Sequence, residues 1–162
     1  MGVNRGKDFE KIVQKAFERI DGVSIDRLHD QTTGFKGSSN ICDFIVYSYP
    51  HQWYIECKTC YGNTLNFHNI TDRQWKGLLE KSTYPGVIAG YLVWFIDKDV
   101  TLFITADTMK TLRDDGAKSL SISDIVGYSL FRHYVVIPGK KKQVFFEYNF
   151  QELLNWGRIS YE

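Results

Sequence analysis

The run Gly86-Val87-Ile88-Ala89-Gly90-Tyr91-Leu92-Val93-Trp94-Phe95-Ile96 carries no charge and is rich in β-branched and aromatic residues. It is too short to span a bilayer and has no polar face to offer water, so it reads as a central strand buried on both faces. Asp97-Lys98-Asp99 turns it into a second strand, Val100 to Thr105. With 43% hydrophobic residues in 162, one domain spanning residues 1 to 162 has apolar material for a sizeable core.

Helical spacing supplies the cover. Phe9, Ile12, Val13, Ala16, Phe17 and Ile20 form one stripe and predict an amphipathic helix over residues 6 to 20. Val23 to Leu28 reads as a strand, and a helix begins near Thr71, where Thr71-Asp72-Arg73-Gln74 fits a capping box. Asp107 to Asp114 predicts a short helix ending before Gly116, and Ser121 to Ile125 a turn-rich segment. Tyr134 to Ile137 and Val144 to Tyr148 predict a hairpin across residues 138 to 143, and Glu152 to Trp156 a terminal helix.

The chemistry concentrates between Ile41 and Lys58. Two alternating apolar runs, Ile41 to Tyr47 and Trp53 to Cys57, flank the turn-like Ser48-Tyr49-Pro50-His51 and predict a β-hairpin with a four-residue loop. Position 47 then faces 52, which sets Phe44 opposite Ile55, Val46 opposite Trp53, and Asp43 opposite Glu56. Lys58, two residues beyond Glu56, joins the acids on their face. Two carboxylates held so close repel; a hard divalent cation such as Mg²⁺ relieves the conflict by binding both through oxygen. A neighbouring ammonium can then orient a water or stabilise charge developing on a phosphate. The bland alternative is an exposed polar face with a cross-strand Glu-Lys attraction.

Cys42, Cys57 and Cys60 include a Cys-Lys-Thr-Cys spacing that zinc or redox chemistry would use. Strand alternation turns Cys57 away from the face shared by Glu56 and Lys58, so small buried hydrophobes are the better reading. The formal net charge of +1 offers no global attraction to nucleic acid, and any such grip must be local. The amino terminus is too polar for a secretory signal, which leaves a cytoplasmic protein as the expectation.

An acid on one strand followed by Glu-x-Lys on the next, here Asp43 and then Glu56-Cys57-Lys58, resembles the PD-(D/E)XK nuclease superfamily. Cys42 stands where that superfamily usually has proline. The order of motifs over roughly residues 5 to 128 is similar to RecU-type Holliday junction resolvases. It comprises the opening Arg5-Gly6-Lys7-Asp8-Phe9-Glu10, the Glu-x-Lys strand, Asn69-Ile70 then Gln74, the apolar strand from Gly86, and Leu102-Phe103-Ile104. The chain departs from that pattern in Cys42-Asp43-Phe44-Ile45-Val46 around the first acid, and in a short segment before it.

The resemblance implies an α/β fold with a restriction-endonuclease-like core, a central mixed β-sheet flanked by helices. It implies Asp43, Glu56 and the Cys57 backbone carbonyl as Mg²⁺ ligands, with Mn²⁺ as a substitute, and Lys58 as the group that positions the attacking water. Glu10 would complete the acidic cluster; otherwise it is a surface glutamate, or one that meets a cation at the helix-sheet junction. Gln74 either serves the helix cap or approaches the site. Candidate DNA contacts are Arg5, Lys7, Arg73 and Lys76, with Thr32, Thr33, Lys36, Ser38 and Ser39 in the polar loop Gln31 to Asn40, which is otherwise an ordinary connection.

The function implied is a Mg²⁺-dependent, structure-selective DNA endonuclease of recombination and repair, a homodimeric resolvase making paired symmetric nicks with 5′-phosphate and 3′-hydroxyl ends. The alternatives are a restriction-like, nicking or transposase-type endonuclease acting on duplex, and a catalytically silent DNA-binding module on the same fold.

Overall fold

The structure, a computed structural model, describes residues 4 to 29, 40 to 123, 134 to 142 and 145 to 161. Helix α1 (Arg5–Glu18) starts on an Asn4 cap and leads to strand β1 (Ser24–Arg27). Strands β2 (Phe44–Ser48) and β3 (His51–Cys60) form the expected antiparallel pair, and β4 (Thr64–Asn66) leads into α2 (Asp72–Lys81). Strand β5 (Val87–Phe95) is followed by β6 (Val100–Thr105), α3 (Ala106–Asp114) and β7 (Ser119–Ser121). The chain closes with β8 (Tyr134–Val136), β9 (Gly139–Lys142), β10 (Phe145–Tyr148) and α4 (Gln151–Ser160).

The fold is α/β, with one mixed sheet in the order β1-β2-β3-β5-β6-β8, in which only β3 and β5 run parallel. A parallel neighbour needs a crossover, and the segment carrying α2 supplies it. On β5 the alternation is complete. Leu92 and Trp94 join a core with Phe9, Val13 and Phe17 of α1 and Leu153 and Leu154 of α4. Tyr91, Val93 and Phe95 join a second core with Trp75 and Leu78 of α2 and Met109 of α3. The apolar run is thus a central strand whose faces feed two separate cores.

The β2–β3 register pairs Phe44 with Ile55 and Val46 with Trp53, as the alternation predicts. The turn is tighter than expected, because Ser48 itself pairs with His51 and only Tyr49 and Pro50 remain outside the ladder. The carboxy-terminal strands also depart from the sequence reading. Residues 134 to 136 pair with β6 in the main sheet, while β9 pairs with β10 in a ribbon of its own. The physical reason is the edge of β6: Thr101 to Thr105 are buried there, so their outward backbone groups need partners. Among the described residues no helix is long and apolar enough to cross a membrane.

Gly90 marks the tightest approach inside the sheet. A Cβ there would stand 2.3 Å from the Ile104 carbonyl oxygen and 2.8 Å from the Phe103 ring. Gly90→Ala is therefore expected to destabilise the protein by about 1–3 kcal/mol, read as a lower urea midpoint with unchanged slope.

Candidate active site

Strand β3 runs further than β2. The ladder ends at Phe44–Ile55, whereas β3 continues to Cys60 beside β5. Asp43 sits at that end: its N–H donates to the Ile55 carbonyl at 3.1 Å, and its Oδ2 accepts from the Cys57 N–H at 2.8 Å. N–H and C=O of one strand residue project to the same edge, so the Cys57 carbonyl also opens toward the Asp43 side. The site is made by the sheet parting at one edge.

Glu56 and Lys58 share one face of β3, with Lys58 Nζ 3.0 Å from Glu56 Oε1. Glu56 is 5% exposed. Its third neighbour comes from α2: Gln74 Nε2 donates to Glu56 Oε1 at 2.7 Å, while Gln74 Oε1 accepts from Lys58 Nζ at 3.2 Å. That same oxygen accepts from the Thr71 N–H at 3.0 Å, and the Gln74 N–H donates to Thr71 Oγ1, completing the capping box. The two roles open for Gln74 in the sequence are performed together, because an amide oxygen has two lone pairs and its nitrogen two protons. Gly77, one turn further, allows the approach: a Cβ there would lie 2.3 Å from the Ile41 side chain.

Burial and the neighbouring Asp43 push the Glu56 carboxyl up to about 8, against the pull of Lys58. Burial also raises Asp43, opposed by the Cys57 N–H, by a hydrogen bond with Glu56, and by Lys58 and Arg27. The pair therefore holds on to a proton into the neutral range. This is the conflict that a divalent cation resolves, and the donors at hand, two carboxyls and a backbone carbonyl, are hard oxygens. The thiols are of another kind. Cys57 lies in the α1-side core and Cys42 in the other, and burial raises both, Cys42 to about 12.

Glu10 lies on α1 at its junction with the sheet and is ion-paired with Arg27 of β1. Of the readings open to it, the structure displays the meeting with a cation. Among the described residues no group of three or more His, Cys, Asp or Glu side chains is placed to hold a metal. The first turn of α1 reaches the site end of the sheet, since a Cβ on Gly6 would stand 4.0 Å from Thr59 Oγ1, and Arg5 and Lys7 flank that point. Arg73 and Lys76 are exposed on α2 to either side of Gln74. Thr32, Thr33, Lys36, Ser38 and Ser39 lie outside the described residues.

Two features of the surroundings were missed from the sequence. Arg27 was not singled out as the cation for Glu10. Tyr91, the register partner of Glu56 on β5, has a buried hydroxyl with no hydrogen-bond partner among the described residues. Its β5 position and the β3 alternation were both readable, but the parallel register joining them was not.

Because the folded protein holds the Glu56 proton more tightly than an ordinary carboxyl at 4.5, folding favours the protonated form. This contribution to stability is full below about pH 4.5 and is lost as the pH rises through about 8. Thermal unfolding without divalent ions is expected to show a melting temperature that declines across that window. Glu56→Gln, which cannot ionise, should flatten the decline.

No family model matches the chain, and no curated protein does. Among solved structures, Hjc, a Holliday junction resolvase from the archaeal hyperthermophile Archaeoglobus fulgidus, is similar at 16% sequence identity and a TM-score of 0.49, covering 75% of this chain and 89% of that one. At that identity and TM-score the similarity carries neither an activity nor a residue role to this chain.

Proposed function

We propose that this protein is a Mg²⁺-dependent, structure-selective DNA endonuclease that resolves four-way junctions by paired nicks. The observation that carries the reading is the convergence of Asp43, Glu56, Lys58 and Gln74 where β3 outruns β2. Asp43, Glu56 and the Cys57 carbonyl would hold the ion, with Glu10 adjoining through Arg27. When bound, Mg²⁺ supplies Lewis-acid activation of the phosphodiester; Mn²⁺, with similar oxygen preferences, would substitute.

The protein's own groups do the rest. The Lys58 ammonium is held between Glu56 and Gln74, so its direction is set before substrate arrives. From there it can orient a water for attack and offset charge building on the phosphoryl oxygens. Gln74 keeps Glu56 and Lys58 in register by donating to one and accepting from the other. In-line attack with departure of the 3′ oxygen leaves 5′-phosphate and 3′-hydroxyl ends. Two symmetric nicks call for a two-fold dimer.

The deciding assay is cleavage of a labelled four-way junction beside linear duplex of the same sequence, with Mg²⁺. Wild type is expected to nick the junction in symmetric pairs and to spare the duplex. Glu56→Ala and Lys58→Ala should each lower the rate by at least ~10². Equal cutting of duplex would replace the resolvase reading with a duplex endonuclease, and no cutting would leave a binding module.

The proton held by the carboxyl pair predicts a second behaviour. Mg²⁺ must displace it, so metal affinity should rise with pH up to about 8. Calorimetry in buffers of different ionisation enthalpy should detect about one proton released per site, and Asp43→Ala should abolish the binding.

A further inference from the structure

The face formed by α2 and α3, next to the carboxyl site, carries groups for which the cleavage chemistry has no use. The Arg113 guanidinium lies 4.8 Å from the centre of the Trp75 ring, and Phe67 meets the same ring edge-on at 5.2 Å. Arg113 lines two hollows. One, of about 480 Å³, is lined by Phe67, Trp75, His68, Arg113, Lys118 and Asp72. The other, of about 280 Å³, is lined by Trp75, Lys76, Lys110, Arg113 and Asp114. Lys110 is ion-paired with Asp114, but neither Arg113 nor Lys118 has an acidic partner among the described residues.

We propose that this face is a backbone subsite for the DNA strand that continues from the cleaved phosphodiester, with Arg113, laid flat on Trp75, as its central phosphate contact. The inference rests on the endonuclease reading and extends it to substrate grip. A guanidinium fixed on an aromatic ring has already lost much of its rotamer freedom and presents a planar fork of donors, which suits phosphate oxygens in pairs. Lys118 shares one hollow with Arg113 and Lys76 shares the other, so the cations Lys118, Arg113 and Lys76 form a row rather than a point.

The platform for that row is carried by the helix that holds Glu56 and Lys58. Trp75 follows Gln74 on α2, and its ring centre lies 5.9 Å from that of Tyr91, the neighbour of Glu56. With a net charge of +1, the protein has no general attraction for DNA, so a local row of this kind has to supply it.

Arg113 and Lys118 are exposed, so their replacement spares the core. Anisotropy of a labelled four-way junction would be followed over a salt series without divalent ion, beside Mg²⁺-dependent cleavage. Arg113→Ala and Lys118→Ala are each expected to weaken binding several-fold and to reduce the slope of log K against log[salt] by ~0.9, the signature of one lost phosphate contact. Arg113→Lys should recover part of the affinity. In cleavage, KM should rise while the rate at saturating DNA holds. Unchanged salt slope and KM in Arg113→Ala, with wild type binding and cutting, would overturn the subsite and leave the endonuclease standing. If wild type binds but does not cut, the endonuclease reading falls and the salt slopes alone decide the subsite. No binding by wild type overturns both.

Discussion

Keeping the Glu56 carboxyl buried beside Asp43 is the constraint to which the rest of the site is fitted. A carboxyl 5% exposed next to another acid cannot simply ionise, because burial and like charge act in the same direction. The fold meets this with donors drawn from different elements: Lys58 along the same strand, the Gln74 amide from α2, and the Cys57 N–H for Asp43. Each donor has its own structural guarantee. The strand pairing fixes Lys58 and Cys57, the Thr71 cap fixes Gln74, and Gly77 sets how near α2 comes. A buried acid pair half-satisfied in this way is poorly suited to stability alone, which is why it reads as a place built to take something in.

Much of this was legible before any coordinates. The β2–β3 register follows from alternation on both flanks of the turn, since a slip of one residue would carry Phe44, Val46, Trp53 and Ile55 out of the core. That register alone places Asp43, Glu56 and Lys58 together. The uncharged run became β5 because nothing in it tolerates water, and the capping box fixed the start of α2 nearly to the residue.

The rest depended on separations the sequence does not carry. Whether Gln74 serves the cap or the site turns on the gap between α2 and β3, which Gly77 and Ile41 decide across a long stretch of chain. The partner of Glu10 was hidden for the same reason, as Arg27 meets it only once β1 has paired with β2. At the carboxy-terminal end, residues 138 to 143 read as the tip of one hairpin, whereas the chain changes partner between β8, paired with β6, and β9, paired with β10. Short strands announce their period but not their partner. The pairing of β4 with β7, each of three residues, left no readable trace at all.

Gln74 has a consequence that reaches beyond its contacts. Its side chain closes the first turn of α2 and holds Glu56 and Lys58 with the same few atoms. Fraying of that turn and release of Gln74 from Glu56 and Lys58 are therefore one opening event with one equilibrium constant, not two. The exchange of the Thr71 and Gln74 amide protons becomes a clock for the site, and whatever binds the carboxyls slows it at the helix terminus.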